Sequence, residues 1–326
     1  MLGDVLERAR RLVVHAGHEL TSPSPIPNEW DRLLEEVDVI VATPRLHIDR
    51  AHMRQARRLR CILFPTIGVD PLDVRAATEL GIAVGHGAPA ESVHSMAEAT
   101  VTLIAALMHR LPQKMSVLQA GLWREPIVLG RMLRGKVIGF VGFGRIGQAT
   151  AALLVPWGAR ILFSDPFVQE SSGGGKATAV ALDRLLRESD VISLHTALSA
   201  DTFGLIGQRQ LGLMKRDAVL VNTSRGNLID EGALVAALES GSLAGAALDV
   251  FAEEPLSIDH PLRRLPNVIL TPHDIGHTEE LMAALGRTLI ENLEAVLGGG
   301  PPLHLFNHDV LRLWSQRFNG AQHEPL

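Results

Sequence analysis

The sequence predicts an α/β fold, a doubly wound parallel sheet joined to a smaller α/β unit, and three observations carry that expectation. Short β-rich runs at Val137–Val141, Ile161–Phe163, Val191–Leu194, Val219–Val221, Ala246–Leu248 and Val268–Leu270 alternate with helical patterns at Ile146–Leu154, Leu182–Arg187 and Ala233–Leu238. Strands that alternate with helices build a parallel sheet covered on both faces. The runs are nearly continuous in apolar residues, as strands buried on both faces are. The same alternation appears earlier, with strands at Val37–Val41, Arg60–Phe64 and Ile82–Val84 and helices at Trp30–Glu35, Asp49–Arg57 and Asp73–Glu79.

Taken in order, the chain opens with Val5, Ala9, Leu12, Val13 and Ala16 at helical spacing up to Gly17. A β-strand would be the usual start of such a unit. Either it is absent or Leu12–His15 is itself the strand; absence would alter the small sheet's edge. Thr21–Asn28 is proline-rich and reads as a loop. Two long helical patterns flank the larger sheet. His94–Leu111 puts Met96, Ala99, Leu103 and Leu107 on one face, and Glu279–Leu297 does the same with Met282, Leu285, Leu289 and Leu293. Gly298–Pro302 ends the second. These helices divide the chain into a smaller domain, residues 1–93 and 281–326, and a larger one, residues 94–280. Gly241 closes the Ala233–Ser240 helix as a left-handed cap, and Ser171–Gly175 is a short flexible loop.

Composition narrows the function classes. The 326 residues accommodate two domains, the hydrophobic fraction is 46% and the charged fraction 21%, as in a soluble globular protein. The net charge is −5 and the one dense run of arginines, Arg54–Arg60, reads as a solvated helix face, so no nucleic-acid partner is suggested. No apolar run is long enough for a membrane span, and Met1–Arg11 is not a signal peptide. Cys61 is the single cysteine, set in an apolar run. It reads as a buried, inert thiol in a reducing, cytoplasmic setting. No metal-ligand spacing stands out.

The strand Val137–Val141 runs straight into Gly142-Phe-Gly144-Arg145-Ile146-Gly147, and a helical pattern follows at once. The first glycine permits a tight turn, the second lets backbone approach a pyrophosphate, and the third lets helix pack on strand. Free N–H groups at the helix N-terminus then favour the phosphates. With strand before and helix after, this is a Rossmann-type dinucleotide signature. Asp165 ends the next strand, 18 residues past Gly147. A carboxylate there bonds the adenosine ribose and repels a 2′-phosphate, which favours NAD over NADP.

In a doubly wound sheet, ligands bind beyond the carboxyl ends of the strands. Successive strands end in Asn222-Thr-Ser-Arg225-Gly226, in Asp249-Val-Phe-Ala-Glu-Glu254-Pro255 and in Thr271-Pro-His273. Arginine, carboxylate and histidine thus reach the rim from which the glycine loop leaves. Histidine shuttles a hydroxyl proton near neutral pH. A carboxylate on its other nitrogen fixes the tautomer. Arginine grips a substrate carboxylate and polarises a neighbouring oxo group.

These motifs, with Gly68-Val-Asp70-Pro-Leu-Asp73, Met96-Ala-Glu98, Asp249-Val-Phe251 and Pro272-His273, resemble those of the D-isomer-specific 2-hydroxyacid dehydrogenase family over most of the chain. The resemblance implies a flavodoxin-like substrate domain built from both chain ends and an NAD-binding Rossmann domain, with a cleft that closes on NAD and a small 2-hydroxy or 2-oxo acid. It implies a homodimer through the nucleotide domain, with His94–Trp123 in the contact. By position, Arg225 would bind substrate, His273 would be the acid/base and Glu254 would orient it. Asp249 would bind the nicotinamide carboxamide, and backbone groups of Ile67 and Gly68 the substrate carboxylate. Arg145 and Ile146 would meet the pyrophosphate, Asp165 the ribose, and His195 and Thr223 would line the cofactor groove.

Glu254 argues against the formate dehydrogenases of the family, which pair the histidine with glutamine. Phe64 stands where phosphoglycerate-type members carry arginine, against a phosphorylated substrate. Gly87 and Ser92 replace asparagines of the substrate loop. Ala197 replaces a frequent proline after His195. Asp274 follows His273 where a small apolar residue is usual; turned inward it would raise the histidine pKa, turned away it would bond backbone or water. The substrate side chain would meet Phe64, His86, Gly87, His94 and Trp123. Two other functions stay open: an NAD-binding corepressor or sensor module, and oxidation of an inorganic or one-carbon acid on the same fold.

Overall fold

The computed structural model describes residues 2–21, 29–42, 46–168 and 177–319. Thr21 apart, the expected loop at 21–28 lies outside them, as does the one at 171–175. The chain forms two compact units, Met1–Ser92 with Thr278–Leu326, and Val93–His277.

The smaller unit is a three-stranded parallel sheet in the order β1-β2-β3, from Val39–Val41, Cys61–Leu63 and Ala83–Gly85. Side chains alternate across it, as strand geometry requires. Ile62 and Phe64 enter one core with Leu34, Met53 and Ala76. Cys61 and Leu63 enter another with Leu289, Leu293 and Trp314. The first core is closed by α2 (Glu29–Glu36), α3 (Arg50–Gln55) and α4 (Val74–Glu79). Asp49 and Asp73 cap α3 and α4 by accepting first-turn backbone N–H groups. The first helix of the chain, α1 (Leu2–His15), packs on the last long one, Glu279–Leu297. Leu12–His15 is therefore helix, which overturns its reading as a strand: Ala9 and Leu12 belong to the Leu289–Leu293 core. Beyond that helix the chain returns to the sheet, where Leu305 bridges Gly85 in antiparallel sense.

The larger unit holds a seven-stranded parallel sheet. Its strands are β4 (Val137–Val141), β5 (Arg160–Ser164), β6 (Ala177–Ala179), β7 (Val191–Leu194), β8 (Val219–Asn222), β9 (Gly245–Leu248) and β10 (Val268–Leu270). Their order is β10-β9-β8-β7-β4-β5-β6, so the winding reverses between β4 and β7, the switch point at which such sheets bind ligands. Separate cores on the two faces bury β4, β5, β7, β8 and β9.

The six expected strands are present and β6 is an addition. Its Ala-Thr-Ala sequence pairs with β5 at the sheet edge, where one partner suffices and no apolar run is needed. The expected helix His94–Leu111 runs instead over Ala90–Met108 (α5). It stops because Arg110 takes a left-handed φ of 51° and Pro112 opens a new helix, α6 (Leu111–Gln119). Gly241, at φ 66°, follows the helix Glu231–Glu239 as the left-handed cap.

Candidate active site

The glycine loop sits at the switch point. Gly142, at φ 85°, presses on the end of β7: a Cβ there would lie 2.7 Å from the carbonyl of His195. Gly144 has open space where its side chain would be. It is the N-cap of α7 (Arg145–Leu154), so the free N–H groups of Arg145 and Ile146 begin that helix. Gly147 lies against the Gly142 carbonyl, where a Cβ would come within 3.1 Å. Asp165 closes the loop from β5. Its Oδ2 accepts the Phe143 N–H at 2.7 Å and its Oδ1 the Phe167 N–H at 2.8 Å. The arrangement fits a dinucleotide: an uncovered helix N-terminus for phosphate, and a carboxylate held rigid beside it.

Below the loop lies His195, whose Nε2 is 2.8 Å from Ser193 Oγ and whose ring leans on Phe140. Burial lowers its pKa to about 4, so the ring is neutral at ordinary pH. Thr223 Oγ1 meets Thr100 Oγ1 at 3.3 Å.

At the end of β8, Asn222 is fully buried and shapes the turn that delivers Arg225. Its Oδ1 accepts the Ser224 N–H and its Nδ2 donates to the Arg225 carbonyl at 2.8 Å. Gly226 follows, and a Cβ on it would fall 1.9 Å from the Phe251 carbonyl carbon. Glycine alone lets the Arg225 loop nest against the loop that carries Glu254. Sequence reasoning gave neither Asn222 nor Gly226 a role, although an Asn-x-Ser turn before a glycine is a readable signal.

Glu254 and His273 are brought together, with Oε2 2.8 Å from Nδ1. The other carboxylate oxygen accepts the Phe251 N–H at 3.0 Å, so Glu254 is anchored to its own loop. His273 takes a left-handed φ of 58°, uncommon for a residue with a side chain. Asp249, buried at the end of β9, holds that turn. One oxygen accepts from Thr271 Oγ1 at 2.7 Å, from Asp274 N at 3.0 Å and from Ile275 N at 3.2 Å. Ser95 of α5 donates to the Gly276 carbonyl and ties down the far end. The Asp274 side chain is exposed. Thr271 and Ser95 act through partners 22 and 181 positions away, which no local motif records.

In the smaller unit, Ile67 is exposed and Gly68 half-buried on the loop after β2. Phe64 is 1% exposed, so its side chain belongs to the core and does not meet a substrate, contrary to expectation. Among the described residues no cluster of His, Cys, Asp and Glu could hold a metal ion, and no helix is long and apolar enough to cross a membrane.

A dinucleotide cradle and an arginine, glutamate and histidine on one sheet rim define a nicotinamide-dependent oxidoreductase. Residues 101–274 match the model of the D-isomer specific 2-hydroxyacid dehydrogenase NAD binding domain. A glyoxylate reductase of Thermofilum pendens is 38% identical over 304 residues, 91% of this chain and 89% of that protein. A D-3-phosphoglycerate dehydrogenase of Methanocaldococcus jannaschii is also 38% identical, over 90% of this chain and 56% of its own length. The solved glyoxylate reductase of Paecilomyes thermophila superposes with a TM-score of 0.84 at 29% identity, over 92% of this chain and 94% of that one. The chain belongs to the D-isomer-specific 2-hydroxyacid dehydrogenase family. It is an NAD-dependent enzyme that moves a hydride between NAD(H) and a 2-hydroxy or 2-oxo acid.

Proposed function

We propose that this enzyme reduces a small, unphosphorylated 2-oxo acid of about the size of glyoxylate, with Arg225, Glu254 and His273 as its working residues. The observation that carries the reading is the Glu254–His273 pair at 2.8 Å, on the same sheet rim as the glycine loop. The nicotinamide supplies the hydride when bound, and the protein supplies position and charge. Gly142, Gly144 and Gly147 with the Arg145 and Ile146 amides hold the pyrophosphate, and Asp165 the ribose. His195 and Thr223 line the groove, and Asp249 faces the carboxamide with the oxygen not engaged by the His273 turn. Arg225 grips the substrate carboxylate in bidentate fashion and draws electron density from the oxo group. His273 Nε2 gives its proton to the oxygen that becomes the hydroxyl, and Glu254 steadies the ring through Nδ1. Backbone groups of Ile67 and Gly68 are the smaller unit's contribution to binding the substrate carboxylate, so the unit of both chain ends is the substrate domain.

The glyoxylate reductases among the relatives support an unphosphorylated substrate. The enzyme is a homodimer in this reading. Leu111, Met115, Leu118, Trp123, Ile127 and Leu129 form an exposed apolar run on the larger unit, with Trp123 at 73% and Ile127 at 75% exposure. Surfaces of this kind mark interaction sites. The single buried thiol, pushed up by desolvation, agrees with a cytoplasmic enzyme. NADH absorbance with glyoxylate, hydroxypyruvate, pyruvate and phenylpyruvate tests the reading, with Arg225→Ala and His273→Ala as controls. Turnover of glyoxylate lost in both variants is the expected result. Binding of NADH without turnover of any 2-oxo acid would favour a sensor module instead.

A further inference from the structure

We propose that His86 is a positioning residue of the substrate loop: by holding the Ile67 carbonyl it aims the Gly68 amide at the substrate carboxylate. The inference rests on the reading above that backbone groups of Ile67 and Gly68 bind that carboxylate, and it gives His86 a role other than the substrate side-chain contact expected from the sequence.

Pairing of β2 with β3 continues past both strands, through Phe64 N–H to the Gly85 carbonyl at 2.8 Å and Gly87 N–H to the Thr66 carbonyl at 2.9 Å. There the ladder stops and the chain turns into the exposed Ile67. The Ile67 carbonyl is met instead by a side chain, His86 Nδ1, at 3.2 Å. A carbonyl oxygen only accepts, so Nδ1 carries the proton. The Ile67 carbonyl and the Gly68 N–H belong to one trans peptide and point in opposite directions. Fixing the oxygen toward His86 therefore turns the Gly68 N–H the other way. Without that bond the peptide preceding a glycine rotates easily.

His86 is itself well fixed. Its N–H donates to the His304 carbonyl at 3.0 Å, and its ring stands edge-on to Phe306 at 5.1 Å. Asn292, fully buried in the last long helix, donates to the His86 carbonyl and accepts the His304 N–H at 2.9 Å. Chain-terminal residues thus brace a loop more than two hundred positions earlier through one imidazole. Thr66 adds a weaker brace by donating to the Gly68 carbonyl at 3.2 Å.

The test is steady-state kinetics of His86→Phe and His86→Asn beside wild type, with glyoxylate and NADH varied in turn. Phenylalanine keeps the ring against Phe306 and loses the donor. Asparagine places an amide nitrogen where Nδ1 stands. The expected result is a KM for glyoxylate raised about tenfold in His86→Phe, the worth of one well-placed hydrogen bond, with the KM for NADH unchanged. His86→Asn should return to within about threefold of wild type. Equal KM values for glyoxylate in wild type and His86→Phe would overturn the inference alone. So would a joint rise of both KM values that asparagine does not rescue, since that marks a merely structural residue. Wild type that turns over no 2-oxo acid would overturn the site reading and this inference with it.

Discussion

Glu254 Oε2 lies 2.8 Å from His273 Nδ1, and the second oxygen of the same carboxylate is taken by the Phe251 N–H. The contact makes Nδ1 the donor toward Glu254 and leaves Nε2 for substrate. Glu254→Ala is expected to lower kcat for 2-oxo acid reduction about hundredfold or more, the usual contribution of positioned acid–base chemistry. The KM for NADH should stay near wild type. Should the variant retain half the wild-type kcat, the pair would be a structural ion pair.

Asp249 acts one step behind that pair. Its Oδ1 accepts three hydrogen bonds from Thr271, Asp274 and Ile275, and these close the turn that sets His273 at a positive φ. Hydrogen bonds to a buried carboxylate contribute about 1.5–3 kcal/mol each. Asp249→Ala should therefore lower both stability and kcat, whereas Thr271→Val removes one bond and should cost about 1.5–3 kcal/mol with a smaller loss of rate. Denaturant titration beside steady-state kinetics checks the order. A Thr271→Val defect as large as that of Asp249→Ala would contradict it.

Gly226 offers a sharper geometric test. A single added methyl would overlap the Phe251–Ala252 peptide, so Gly226→Ala must push apart the Arg225 and Glu254 loops. Displacements of about 1 Å can cost a hundredfold in rate. The expected outcome is a folded protein, by circular dichroism, with kcat/KM for the 2-oxo acid down at least about tenfold. Wild-type kinetics in that variant would show that the two loops are not held to one geometry.

What could be read from sequence, and what could not, follows from how each feature is encoded. The glycine loop, Asp165 and the rim positions of Arg225, Glu254 and His273 are local: a strand end and a turn put them where they are, and strand ends are written in short apolar runs. Edge strand β6 pairs on one side only and carries no such run. The break between α5 and α6 depends on one left-handed arginine before Leu111-Pro112, which apolar spacing does not record. Leu12–His15 is helical because its apolar face meets the helix Glu279–Leu297, a partner far away in the chain. Phe64 shows the remaining difficulty: its place beside the substrate loop was legible, but the sheet face it occupies was not, and that face is the core.

Asp165 bears on the choice of coenzyme. Both of its oxygens accept backbone N–H groups, from Phe143 and Phe167, so the carboxylate is fixed at the end of β5. A ribose 2′-phosphate brought there would meet a like charge. Asp165→Ser is expected to raise the KM for NADH about tenfold while lowering that for NADPH, so that the preference narrows or inverts. Initial rates at saturating 2-oxo acid with each coenzyme would decide it. An unchanged preference would move the discriminating contact elsewhere.

His195 makes the stability of the larger unit depend on pH in a direction that can be worked out. Its ordinary pKa of 6.5 is lowered to about 4 in the folded chain by desolvation. Between those values the unfolded chain binds a proton that the folded chain does not. Acidification through pH 6.5 therefore begins to favour unfolding; the loss grows down to about pH 4 and then levels off. Above about pH 7.5 both states are neutral and the residue contributes no slope. The full loss is about 3 kcal/mol, at 1.36 kcal/mol for each pH unit between the two values. His195→Gln keeps a polar partner for Ser193 and cannot titrate. Its unfolding free energy, measured by denaturant titration at pH 7.5, 6, 5 and 4, should fall less steeply on acidification than that of wild type. The other histidines are common to both proteins and cancel in the difference. Parallel curves for the two proteins would show that the imidazole takes up its proton as readily in the folded state as in the unfolded one.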